Sequence, residues 1–131
     1  MDRLFGRLIA AQSRWVKPFG EFNHRWVHAL FGPIPMIRDL LNGRWLGHPL
    51  HAVLTDAPIG ILFLVIPFDL AGQAAAPATR AILAIGILTM LGAAAAGLAD
   101  YSDTDGTARE RATLHGTLMV GALLLYLVSF L

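Results

Sequence analysis

Three apolar stretches, at 50–72, 81–99 and 112–131, constrain this chain more than any other feature. Crossing the hydrocarbon core of a bilayer takes about 20 apolar residues in a helix, which satisfies its own backbone hydrogen bonds there. The second stretch carries no charge, and His115 is the sole His, Asp, Glu, Lys or Arg of the third. Charged residues make up 15% of the 131-residue chain and hydrophobic ones 56%, against about 25% charged in a soluble domain. The expected fold is all-α: a transmembrane helical bundle of three spans over residues 48–131, behind an N-terminal amphipathic arm over residues 1–47.

Composition also narrows the chemistry. The absence of cysteine excludes disulfides, thiolate zinc sites and iron–sulfur ligation within the chain. Seven of the ten Lys/Arg residues precede Leu50, alternating with aromatic and aliphatic residues beside the spans. That placement fits a membrane surface and argues against nucleic acid as a partner. Arg3, Gly6 and Arg7 interrupt residues 1–11, so no cleavable signal peptide is expected there.

Within the arm, Leu4, Phe5, Leu8, Ala11 and Trp15 recur near the helical period, with Arg3, Arg7, Arg14 and Lys17 on the other faces. This predicts an amphipathic helix over 3–17 lying in the headgroup region. Pro18-Phe19-Gly20 should break it. A second helix over 21–31 follows from Phe22, Trp26 and Leu30, and a third short piece over 36–41. Trp15, Trp26 and Trp45 suit an interfacial aromatic belt; a soluble arm binding another subunit is the alternative.

His48 is the expected N-cap of the first span, with Pro49 at its first helical position. Gly86, Gly92, Ala96 and Gly97 give the second span small-residue spacings suited to close helix approach. Residues 101–106 form a turn, and Thr107-Ala108-Arg109-Glu110 reads as a capping box opening the third span. Asp69 and Arg80 could pair at the opposite interface. If all three spans cross, the arm and the 101–111 turn share one side and hold nine Lys/Arg, against Arg80 alone on the other. The positive-inside rule then places the arm in the cytoplasm.

Antiparallel threading gathers His48, His51, Asp56, Asp100 and His115 near one membrane face. Helical steps from His51 run through Thr55, Pro58, Leu62, Val65 and Asp69. Those from His115 run through Met119, Ala122, Tyr126 and Ser129. Both stripes should face the bundle, since ionisable groups inside a membrane rarely face lipid. Asp56 lies about 140° round from His51 at ~100° per residue.

Three uses compete for the cluster. Two imidazoles from different helices can bind haem iron axially, as in a haem b centre, with His51 and His115 as ligands and His48 as substitute. A divalent metal or proton site could use His48, His51, Asp56, Asp100 and His115. In the third, histidines cap helix ends and the two carboxylates close termini or pair with Arg109 or Arg111. His24 and His28, at i and i+4, have chelating spacing, although arm histidines are more often solvated. Asp103-Thr104-Asp105-Gly106 lacks most calcium-loop ligands and reads as an Asx-type turn. No phosphate-cradling loop, nucleophile elbow or hydrolase-type pair of acids occurs, so enzymatic activity has no support in the sequence.

Several ordered motifs carry a family resemblance. They are Arg38-Asp39-Leu40-Leu41-Asn42-Gly43, Trp45-Leu46-Gly47-His48-Pro49-Leu50-His51 and Leu54-Thr55-Asp56-Ala57-Pro58-Ile59-Gly60. Gly97-Leu98-Ala99-Asp100-Tyr101-Ser102-Asp103-Thr104-Asp105-Gly106 and His115 complete the set. Together, over residues 38–131, they closely resemble a bacterial family of small multi-spanning membrane proteins of unknown function, found fused to or beside Rieske-type iron–sulfur domains. The resemblance implies an integral helical domain of the bacterial inner (cytoplasmic) membrane with a redox association and assigns no reaction. Family members usually have four spans, so a fourth helix is expected either to be missing from this member or to lie outside the sequence. The expected role is a non-catalytic subunit of a larger membrane complex, most plausibly for electron transfer. A purely structural accessory subunit and a small proton-linked transporter are the alternatives.

Overall fold

The computed structural model describes the backbone of residues 2–131 and the side chains from Ala11 onward. The described chain is all-α: α1 (Asp2–Phe31), α2 (Pro35–Leu41), α3 (Leu50–Phe63), α4 (Val65–Leu70), α5 (Ala76–Ser102) and α6 (Gly106–Phe130), with a 3-10 turn at Gln73–Ala75. Among the described residues, three helical segments are long and apolar enough to cross a membrane: Leu50–Leu70, Gln73–Ser102 and Gly106–Phe130.

α5 is the centre of the bundle. It runs antiparallel to α3, with Leu62 over Gly86 at one end of the seam and His51 over Gly97 at the other. A methyl group on Gly86 would collide with the Leu62 side chain, and one on Gly97 would sit 2.9 Å from His51 Nδ1. The expected close approach is therefore realised at these two glycines, whereas Gly92 faces open space. Leu62, Leu83, Ile87, Ala93, Ala96 and Ala99 are buried along α5 and its seam. In lipid such a seam is held by tight packing, because the acyl chains are as apolar as the side chains.

The first span is not one rod. It breaks at Leu64, whose N–H bonds to the Ile61 carbonyl at 3.1 Å. Pro67 explains the position: it has no N–H for the Phe63 carbonyl four residues back, and its ring would crowd that oxygen. The span also starts differently from the expectation. Pro49 is itself the N-cap residue, and no side chain caps the helix, so His48 plays no capping part. Nor does the capping box form: Asp105 is the N-cap of α6, again without a side-chain bond. Glu110 instead turns outward to Lys17, 3.6 Å away. Asp69 and Arg80 line a cleft at the far end with Ser129, but no ion pair joins them among the described residues.

The arm departs furthest from expectation. Residues 2–31 form one helix with Pro18 inside it, rather than two pieces broken at 18–20. Pro18 is exposed, so the Arg14 carbonyl it leaves unpaired lies on the outer face rather than against the bundle. Beyond the proline, the inner face is pinned. Gly20 packs so closely on α6 that an added methyl would lie 2.7 Å from Thr113 Oγ1. The Tyr101 hydroxyl, buried, donates to the Gly20 carbonyl at 2.8 Å. Leu4, Phe5 and Leu8, part of the expected stripe, lie outside the described side chains.

α2 and the loop after it close over the end of α5. Arg38 lies 3.5 Å from Asp103, Arg44 lies 3.3 Å from Asp39, and Asn42 donates to Asp103 at 2.9 Å. Gly43 makes that turn possible. Its φ is +72°, and a side chain would strike the His48 carbonyl and the Leu50 backbone nitrogen. Motifs from separate parts of the chain, Arg38–Arg44 and the Asp103 turn, thus meet as one polar clasp.

Candidate functional site

His51 stands at the second residue of α3, on the face that meets α5, because the steps His51, Pro58 and Leu62 all fall on the buried side of the helix. The half-buried ring lies flat on the glycine at position 97. Its Nδ1 is 2.8 Å from the Ala93 carbonyl oxygen. A carbonyl can only accept, so Nδ1 carries the proton of this bond, and in the neutral imidazole Nε2 is the nitrogen with the lone pair. Bonds of this kind between membrane helices contribute about 0.6–2 kcal/mol.

His115 enters from α6. Its ring centre is 6.1 Å from that of His51, with the planes 74° apart. The residue remains exposed on its outer side, so the pair sits at the edge of the bundle rather than in its core. Two imidazole nitrogens each about 2 Å from a shared ion place the ring centres roughly 5–6.5 Å apart, depending on the angle at the ion. The observed separation fits that span.

The other predicted site residues are placed differently. Asp100, one turn beyond Gly97, is half-buried and within electrostatic reach of His51. Asp56 is exposed on the outer face of α3, as its angular offset from His51 requires. His48 is exposed in the loop before α3. The structure thus brings His51 and His115 together, keeps Asp100 within electrostatic reach of His51, and leaves Asp56 and His48 outside. Among the described residues, no three His, Asp or Glu side chains gather as a metal site. Of the stripe expected to face the bundle from His115, Met119 and Ser129 are exposed, while Ala122 and Tyr126 are half-buried.

A second polar centre was not expected from sequence. The Tyr101 hydroxyl, besides bonding Gly20, is 2.9 Å from Thr113 Oγ1, which also lies 2.8 Å from the Arg109 carbonyl. His24, expected to be solvated, is half-buried. Its Nε2 donates to the Ser102 carbonyl at 3.0 Å, and its ring packs edge-on to Tyr101 at 5.9 Å. His28 stays exposed, 5.8 Å from His24 between ring centres. Arg109 joins Glu21 at 2.8 Å and donates to the Thr104 carbonyl. The available signal was the period of Val16, Gly20, His24, Val27 and Phe31, an inward stripe that runs straight through Pro18. Compared with known proteins, the chain matches no family model, no curated protein and no solved structure.

Proposed function

We propose that the chain is a non-catalytic membrane subunit of a larger electron-transfer assembly, in which His51 and His115 are the residues that would hold a haem. One observation carries this reading: imidazoles from the first and third spans lie 6.1 Å apart at one end of the bundle. The bond from His51 Nδ1 to Ala93 supports it, since a ligating histidine usually donates its other ring N–H to a carbonyl or carboxylate. The donor set does too. Two imidazoles suffice for haem iron, whose porphyrin supplies the remaining nitrogens, whereas zinc calls for three or four protein ligands. Bound there, a haem would supply one-electron chemistry; His51 would hold its orientation through Ala93, and His115 would close the site from the bundle edge. The resemblance to a family found beside Rieske-type domains supports the redox setting and a location in a bacterial inner membrane.

An optical spectrum of the detergent-solubilised protein, oxidised and then reduced, tests the proposal. The expected result is a Soret band that shifts on reduction and is lost in His115→Ala. That variant is the clean probe, because His115 packs little against its own chain. Retention of the band in both His51→Ala and His115→Ala would overturn the ligand assignment. A flat visible spectrum, with no iron by elemental analysis, would overturn the haem. For the assembly, gentle solubilisation from native membranes should yield a co-migrating partner; a lone, monodisperse chain would count against it.

A further inference from the structure

Helix α1 has three faces, and each meets a different medium. Val16, Gly20, His24, Val27 and Phe31 turn toward the bundle, buried or half-buried. Arg14, Lys17, Glu21 and Arg25 form an exposed polar face. Trp15, Phe19, Phe22, Trp26 and Leu30 form a third, apolar face, each residue 42–67% exposed among the described residues. At ~100° per residue, the centres of these faces lie roughly 110–135° apart. A helix lying free on a surface needs only one apolar face, and one enclosed by protein is apolar all round.

The ties of α1 to the bundle fix its height. They fall on Tyr101, Ser102, Arg109, Glu110 and Thr113, around the turn that joins two membrane-crossing helices. Thirty residues span about 45 Å, while the packed ends of three helices are only about 20 Å wide. Laid across the bundle end, the helix would overhang its rim, at the level where hydrocarbon gives way to headgroups. We propose that α1 lies in the headgroup layer of an acidic lipid leaflet. Its aromatic stripe points down to the acyl chains, and its polar face points up to lipid phosphates. Charge supports the lipid over a protein partner. Lys17 and Glu21 are engaged by Glu110 and Arg109, which leaves Arg14 and Arg25 as exposed cations without an ion pair among the described residues. Indole and phenyl rings favour this boundary because they are apolar bodies that tolerate a wet edge. The inference rests on α3–α6 spanning a bilayer and is independent of any ligand at His51 and His115.

Tryptophan fluorescence of the full chain tests it. In a Trp45→Phe variant, Trp15 and Trp26 alone report. Reconstituted in vesicles containing phosphatidylglycerol, both should be quenched by acyl-brominated lipid and shielded from acrylamide. Strong acrylamide quenching without bromine quenching would overturn the proposal. Shielding from both quenchers would also overturn it, since protein would then cover the stripe. Adding Arg14→Gln and Arg25→Gln should raise acrylamide access in the acidic vesicles, shifting the docked-to-free ratio roughly fivefold per arginine. Phosphatidylcholine vesicles should show no such shift. Equal effects in both lipids would refute the headgroup contacts.

Discussion

α5 and α6 are helices of 27 and 25 residues that lengthwise composition barely distinguishes, yet they do opposite work. In the most apolar window of α5, 28% of residues are buried within the chain, against 6% for α6. α5 receives α3 on Gly86 and Gly97 and takes α1 and α2 at its end. α6 buries a single side chain, Thr113, among the described residues. The glycines record the contrast. Those at 86 and 97 are filled by Leu62 and His51, whereas Gly116 and Gly121 of α6 face open space. Hydropathy decides that a helix enters the bilayer; small residues at matched heights decide which helix it meets there.

Matched substitutions can break this contrast. Gly86→Leu forces the α3–α5 seam apart and should cost about 3 kcal/mol, in the upper range for overpacking, while Gly121→Leu should leave stability within about 0.5 kcal/mol. Denaturation in mixed micelles followed by circular dichroism measures both; equal effects would erase the distinction between the helices. Gly97→Val comes next, at about 2 kcal/mol. It should also push His51 off Ala93, so a spectral signal at the histidine pair would disappear together with the lost stability.

Two smaller effects sharpen the role of the end where α1 crosses. Tyr101→Phe removes the donor to the Gly20 carbonyl and should cost about 1–1.5 kcal/mol, seen as faster proteolysis of α1 with the spans intact. Glu21→Gln should cost no more than about 0.5 kcal/mol, since Glu21 is largely exposed and its pair with Arg109 is screened by solvent. A larger effect than that of Tyr101→Phe would move the anchor of α1 from the buried hydroxyl to the ion pair.

Much of the scaffold could be read from residue order. Long apolar runs gave the three spans, and alternating direction with a 3.6-residue period was enough to bring His51 and His115 to the same end. The same period put Asp56 on the far side of α3 from His51. What could not be read is decided by distant contacts. Pro18 is a strong local signal for a break, but the inner face beyond it is held by Tyr101 and Thr113, some eighty to ninety residues away in sequence. Likewise Thr107–Glu110 has the pattern of a cap, and Glu110 is drawn off to Lys17 by a helix that local reasoning placed elsewhere. The bareness of α6 was also hidden, because an apolar side chain reads the same whether lipid or protein lies against it.

The long reach of those ties bears on how the molecule is made. Synthesis delivers α1 first, yet its seat is assembled from Tyr101, Ser102, Arg109 and Thr113, the last of which emerges more than eighty residues after Gly20. Until α6 is threaded, α1 lacks the Arg109 and Thr113 side of that seat. Seating α1 therefore waits on α6: a helix made early finds its place late, and it latches only onto a bundle whose third span is already threaded.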